Sequence, residues 1–363
     1  MKQIQSVTLR SGITIGAGHP CFVVAEIGNN HQGEFEIAKQ MIDEAAAAGV
    51  QGVKFQKRDN EALLTREGRA APYTGPNSFG PTYGEHRDTL ELSIEEMAQL
   101  KEYSESRGLV FFASAWDDPS LAQILDLDVD LLKISSAELV NVPLVRKYAA
   151  AKIPIILSTG MSGLEDIDVA MAEINAYHDQ VVLLHCNSTY PCPEDQIGLP
   201  VMEALSERYG VPVGYSGHEK GIGPSVGAAA LGASVVERHF TLDKSLKGTD
   251  HQASLEPKEL ADMVTMIREV EKATQIKGKV VFPEEQAAAK KLRKCIVFSR
   301  ELPAGHVLTV ADLTTRCPRV GVSPVHWDEV IGATLNRSVK HEEPVQWDTL
   351  SQAATECADA ASS

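Results

Sequence analysis

A short, nearly continuous apolar run recurs eight times between residues 21 and 240. The runs are "CFVVAEIG" (21–28), "GVQGVKFQK" (49–57), "LVFFASA" (109–115), "LLKISSAE" (131–138), "PIILSTG" (154–160), "VVLLHCN" (181–187), "VPVGYSGH" (211–218) and "ASVVERHF" (233–240). Runs that are apolar at successive positions suit parallel strands covered on both faces. Helical stretches such as "EFEIAKQMIDEAAAAG" and "SIEEMAQLKEYSESRG" separate most of them, and "EPKELADMVTMIREVEKA" follows the eighth. Eight βα units in one run predict an α/β fold, a TIM (β/α)8 barrel over 21–276. A doubly wound open sheet is the competing arrangement. It calls for a glycine-rich dinucleotide loop after the first strand, and "EIGNNHQG" is not one.

The flanking segments read differently. Residues 1–20 predict a short polar β-hairpin turning at Ser11-Gly12. A charged linker over 277–285 precedes a small domain over 286–352, where β-like runs and turn signals replace the βα alternation. The small, polar residues 353–363 predict a disordered tail. A net charge of −16 opposes general nucleic-acid binding, which needs a basic face. The chain has no run of about 18 apolar residues, so no membrane span is expected. Six cysteines without CxxC pairs or framework spacing fit a reduced, cytoplasmic protein.

Barrel chemistry collects at the C-terminal strand ends. Those ends carry Glu26 with Asn29, Asn30 and His31; Lys54 and Gln56; Ser114; Lys133 and Ser136; Ser158 and Thr159; His185, Asn187 and Ser188; Ser216 and His218; Glu237 and His239. A lone lysine or histidine there is usually solvated or hydrogen-bonded. Polar groups at all eight ends form one cup. Lys54 and Lys133 among serine hydroxyls suit a phosphate and a carboxylate together. His218 and His239, from adjacent strands, suit a divalent metal with open positions, or else a hydrogen-bonded pair without metal. Glu26 and Glu237 are free for proton transfer or for holding sugar hydroxyls.

These stretches resemble the sialic acid synthase family, the phosphoenolpyruvate-dependent synthases of N-acetylneuraminate, legionaminate and related nonulosonates. The likeness runs through "AEIGNNHQG", "GVKFQKR", "FFASAWD", "LLKISSAE", "PIILSTGMS", "LLHCNSTYPCP", "VGYSGHEKG" and "ERHFTLDKSLKGTDHQASLEP". "GHVLTVADL" and "VGVSP" are similar to the family's C-terminal SAF (antifreeze-like) domain. The resemblance implies that Lys54, Ser114, Lys133, Ser136, Ser158, Ser188 and Ser216 hold phosphoenolpyruvate. It implies that His218 and His239 bind a divalent metal, manganese first, with magnesium or cobalt as alternatives. Glu26, Gln56, Tyr190 and Asp250 would contact the acceptor sugar, with Glu237 between metal and acceptor. Glu26 or Glu237 would handle the proton. The expected partners are phosphoenolpyruvate, an aldose acceptor such as N-acetylmannosamine, and a second subunit in a domain-swapped homodimer.

Two stretches depart from the family pattern. Where the family's SAF domain carries an Arg-Pro-Gly-type motif, this chain reads "TRCPRVGVSP". Cys317 stands at the arginine position, which leaves Arg316 and Arg319 as candidate acceptor contacts. The Gly/Pro-rich, aromatic segment at 71–92 is long for a βα loop. It suits a lid, with Tyr83, His86 and Arg87 as contacts, or a solvated surface loop. Competing readings are a synthase acting on a sugar without the N-acetyl group, a pyruvate aldolase using Lys133 as a Schiff-base lysine, and a glycan-binding protein.

Overall fold

The structure, a computed structural model, describes residues 6–351; the tail expected over 353–363 lies outside them. The chain divides into two compact units, Met1–Gln275 and Ile276–Ser363. In the first, a hairpin of β1 (Val7–Thr8) and β2 (Thr14–Ile15) precedes the eight anticipated strands. These are β3 (Phe22–Gly28), β4 (Gly52–Lys57), β5 (Val110–Ala115), β6 (Leu132–Ile134), β7 (Ile155–Ser158), β8 (Val181–Cys186), β9 (Val213–Gly217) and β10 (Val235–His239). All neighbours are parallel, and β10 closes on β3 with Val235 opposite Phe22 and His239 opposite Glu26. The expected TIM barrel is therefore present.

The period-two alternation of strand side chains sorts the apolar residues into two cores. Val23, Ala25, Val53, Phe111, Leu157, Leu183, Tyr215 and Val236 point outward and meet the helices. Phe22, Val24, Val110, Phe112, Leu131, Ile156, Val182, Leu184 and Val235 fill the barrel interior. Val7, Leu9 and Ile15 of the hairpin join this inner core, so the segment anticipated as merely polar plugs the barrel floor with its apolar side chains. Gly52 and Gly214 are the inward residues of their strands. A Cβ on Gly52 would sit 3.0 Å from the Phe22 ring, and one on Gly214 would sit 2.8 Å from Leu184. The interior is packed too densely there for any side chain.

In the second unit, helix Pro283–Leu292 spans the end of the anticipated linker. Beyond it, β11 (Cys295–Phe298) pairs antiparallel with β12 (Leu313–Arg316), and β13 (Thr334–Leu335) with β14 (Leu350–Ser351). Ile296, Phe298, Leu308, Leu313, Val330 and Val345 belong to its separate core. No described helix is long and apolar enough to cross a membrane.

Candidate active site

One step above the apolar layer, the next inward residue of every strand is Glu26, Lys54, Ser114, Lys133, Ser158, Cys186, Ser216 or Glu237. The alternation that fills the core thus delivers a polar ring at the C-terminal end. Each lysine meets a carboxylate: Lys54 Nζ lies 2.7 Å from Glu26 Oε2, and Lys133 Nζ lies 3.6 Å from Glu237 Oε1. Lys133 also donates to Ser158 Oγ at 2.7 Å, and Gln56 Nε2 donates to Glu26 Oε1 at 2.6 Å. Buried charges are tolerable only when paired in this way. Burial opposes ionisation of Glu237, but the charges of Lys133 and Lys54 prevail and hold its carboxyl below the usual range. Burial lowers the Lys133 pKa, with Glu237 opposing. Glu237 Oε2 has no hydrogen-bond partner.

Above this ring, a cavity of about 330 Å³ opens, lined by Glu26, Lys54, Gln56, Lys133, Ser136, Ser158, Ser188, Tyr190, Ser216, His218, Glu237, His239 and Asp250 among others. Of the barrel residues assigned above to phosphoenolpyruvate, metal or acceptor, Ser114 alone is absent from that lining; His31, Thr159, His185 and Asn187 of the wider strand-end set are absent as well. Ser114 is wholly buried and accepts from Lys54 at 3.4 Å, beneath the ammonium. Ser136 accepts from the Gly160 backbone N–H at 3.0 Å. A Cβ on Gly160 would collide with Ser188 Oγ and sit 2.8 Å from Ser136 Oγ, so the missing side chain leaves a hydroxyl-lined cradle.

His218 and His239 face each other with ring centroids 5.4 Å apart, and the Tyr190 ring lies 3.9 Å from His218. His218 Nδ1 is 2.7 Å from the Asn187 carbonyl. A carbonyl only accepts, so Nδ1 carries the proton and Nε2 keeps its lone pair. Burial, reinforced by His239, lowers His218 to about 3, which keeps it neutral. His239 Nδ1 is buried without a hydrogen-bond partner. An oriented neutral imidazole beside an orphaned ring nitrogen fits a metal site. Among the described residues, no three His, Cys, Asp or Glu side chains converge on such a point. The pair therefore fits a cation whose remaining ligands are substrate and water.

Several residues in or near the site differ from expectation. His185 points outward to the Ile197 carbonyl, and its neighbour Cys186 takes the inward place on β8. Arg58, Trp116 and Lys247 line the cavity unanticipated. Arg58 extends the two-residue spacing of Lys54 and Gln56 beyond the strand, a signal legible in hindsight. The segment at 71–92 is no bare loop: Thr82 caps helix Tyr83–Thr89, which brings His86 and Arg87 to the cavity. Tyr83 supports Arg87 through its hydroxyl. Arg316 and Arg319 belong to the second unit, where Arg316 pairs with Glu342 at 3.2 Å.

The NeuB family model matches residues 41–279, and the SAF domain model matches 293–351. The chain is 40% identical over 337 residues to N-acetylneuraminate-9-phosphate synthase of Homo sapiens, covering 92% of this chain and 94% of that protein. It is 34% identical over 341 residues to N,N'-diacetyllegionaminic acid synthase of Legionella pneumophila, covering 92% and 96%. The solved N-acetylneuraminic acid (sialic acid) synthetase from Leptospira borgpetersenii serovar Hardjo-bovis, in complex with citrate, superposes with a TM-score of 0.69. It shares 34% identity and covers 78% of this chain and 95% of that one.

Proposed function

The chain belongs to the NeuB family, and on that premise we propose that it condenses phosphoenolpyruvate with an open-chain amino sugar and water, giving a nonulosonic acid and phosphate. N-acetylmannosamine or a related acetamido sugar is the acceptor class. The observation that carries this reading is the pair of buried lysine–carboxylate contacts beneath a hydroxyl-lined cradle. Phosphoenolpyruvate brings one phosphate and one carboxylate, and Lys54, Lys133, Ser136, Ser158 and Ser188 present charge and hydroxyls for both. These groups are fixed before substrate arrives, so little reorganisation accompanies the charge changes of reaction.

C3 of phosphoenolpyruvate attacks the acceptor's aldehyde carbon, and water adds at C2. The proton that water loses balances the new alkoxide. The C2–O bond then breaks, and the hydroxyl proton at C2 leaves with phosphate as C2 becomes a ketone. Glu237 is ionised, faces the cavity and has a free oxygen; we assign it the proton transfer. Glu26 is engaged at both oxygens by Lys54 and Gln56, and positions the acceptor. His218 and His239 would hold a divalent cation, manganese first, which when bound polarises the acceptor's carbonyl oxygen.

The working form on this reading is a homodimer, checked by its elution volume and mass in solution. The test of activity is phosphate release from phosphoenolpyruvate across a panel of N-acyl hexosamines. Release with at least one member is expected; none across the panel overturns the reading. A Schiff base between pyruvate and Lys133, trapped by borohydride, would point to an aldolase instead.

A further inference from the structure

The Gln56 amide is gripped at both ends. Its Nε2 donates to Glu26 Oε1 at 2.6 Å, and its Oε1 accepts from Arg58 Nη2. On the far side of Glu26, Lys54 Nζ lies 2.7 Å from Oε2. Arg58, Gln56, Glu26 and Lys54 therefore form one line, from just beyond the end of β4 across to β3 and back.

The outer end of that line is built to stay still. Arg58 is buried, and its guanidinium lies 4.2 Å over the Trp116 ring, at the end of β5. Its Nη1 donates to Asn29 Oδ1 at 3.3 Å and lies 3.6 Å from Glu91 Oε1. Glu91 in turn accepts from the Arg58 backbone N–H at 3.0 Å and from Lys57 at 3.3 Å. Gly28 clears the other flank. Its φ of 55° is left-handed, and a Cβ there would sit 3.1 Å from Glu26 Oε1 and 3.2 Å from Gln56 Nε2. A side chain at position 28 would crowd the two atoms that meet.

A glutamine amide turned by half a revolution exchanges a donor for an acceptor. In that orientation the Gln56 carbonyl oxygen would oppose the Glu26 carboxylate, and its NH2 group would oppose Arg58. A guanidinium has five N–H donors and no acceptor. Facing Arg58, Gln56 must present its oxygen, which leaves its NH2 group for Glu26. The buried positive charge also polarises the amide and strengthens that donation. We propose that Arg58 is a positioning residue for the acceptor: it acts through Gln56, and so sets the orientation of the Glu26 carboxylate that the sugar meets. The inference rests on the synthase reading above, which gives Glu26 and Gln56 to the acceptor. Arg58 itself needs no contact with either substrate.

The experiment is a double-mutant cycle of Arg58→Met and Gln56→Ala, read as separate KM values for phosphoenolpyruvate and for the sugar of the panel that releases phosphate fastest. Arg58→Met should raise the acceptor KM about fivefold or more, the scale of one misdirected hydrogen bond. The KM for phosphoenolpyruvate should change by less than about twofold. In the Gln56→Ala background, Arg58→Met should add less than about twofold, because its route to Glu26 is already cut. Arg58→Lys keeps a donor without the planar fork, so its acceptor KM should fall between those of wild type and Arg58→Met. An unchanged acceptor KM in Arg58→Met, an equal rise for both substrates, or a full further rise on top of Gln56→Ala overturns the inference and leaves the synthase reading intact. Should Arg58→Met not fold, Arg58→Lys carries the same cycle: a rise in acceptor KM that vanishes in Gln56→Ala upholds the inference, and one that persists there, or no rise at all, overturns it. Wild-type protein that releases no phosphate with any sugar overturns the synthase reading, and the inference with it.

Discussion

Lys133 and Glu237 meet 3.6 Å apart at the base of the cup, both almost wholly shielded from water. Glu237→Gln keeps the shape and removes the charge. If Glu237 carries the proton, kcat falls by roughly 10²–10⁴-fold, the usual worth of a positioned acid–base group. A merely structural role predicts loss of thermal stability with kcat changed by less than about tenfold, below that range. Phosphate-release kinetics together with a melting curve separates the two.

Gly160 tests the phosphoenolpyruvate cradle from the opposite direction. An added methyl would meet the hydroxyls of Ser136 and Ser188, and both can rotate away. Rotation of Ser136 gives up its hydrogen bond from the Gly160 N–H, so stability should fall by about 0.5–1.5 kcal/mol, the net worth of one such bond. The displaced hydroxyls no longer point into the cavity, so Gly160→Ala should raise the KM for phosphoenolpyruvate about tenfold or more, a loss of roughly 1.4 kcal/mol of binding. An unchanged KM places the phosphate elsewhere.

The barrel was legible because parallel strands covered on both faces must be apolar at successive positions, and eight such runs admit few closures. The ring was legible for the same reason: Glu26, Lys54, Lys133, Ser216 and Glu237 follow from strand parity alone. Parity also explains the error at His185, since the correct frame on β8 is set by Val182 and Leu184, which lie in the inner core. Lys247 and Trp116 were not readable, because they lie beyond strand ends where no periodicity fixes a direction. The expected hairpin is present, but its core-facing side was hidden for a different cause. Val7, Leu9 and Ile15 look sparse among polar neighbours, yet alternation gathers them on one face.

His239→Ala should abolish detectable turnover and lower the metal retained after dialysis against a low level of manganese. Metal content by mass spectrometry is the direct readout, independent of activity. The orphaned His239 Nδ1 and the Asn187-oriented imidazole of His218 are the structural grounds. Full turnover after exhaustive chelation would remove the metal from the reaction.

Acid sensitivity of the C-terminal unit should trace to Asp312. Its buried carboxylate accepts from His306 Nε2 at 2.9 Å, from Thr309 Oγ1 at 2.7 Å and from Arg300 at 2.7 Å. Burial opposes ionisation, but these donors win and hold the carboxyl well below the ordinary range. With the folded pKa below an unfolded value of about 3.9, the stabilisation is complete above that value and is lost as pH falls through the folded one. Calorimetry of the whole chain should show wild type and Asp312→Asn furthest apart near neutrality and converging below about pH 4, where the unfolded carboxyl takes up its proton. A constant gap across pH assigns the effect to packing.

Arg238 turns away from the cup and ranks first among the largest fully buried side chains of the described residues. It pairs with Glu219 at 2.9 Å, and both side chains are wholly excluded from solvent. Glu219 also accepts from Tyr215 at 2.7 Å and Ser225 at 2.9 Å, while Arg238 reaches the carbonyls of Glu219 and Gly221. Leaving either charge alone in this setting costs about 3–5 kcal/mol, whereas replacing both by apolar groups of similar volume is often neutral. Glu219→Leu or Arg238→Met alone should therefore lower the unfolding midpoint by several degrees. The double variant should recover much of that loss, because no uncompensated charge remains. Denaturant titrations of the four proteins measure the coupling directly. Additive single-variant losses would show that the two residues stabilise the barrel through their other hydrogen bonds and not through each other.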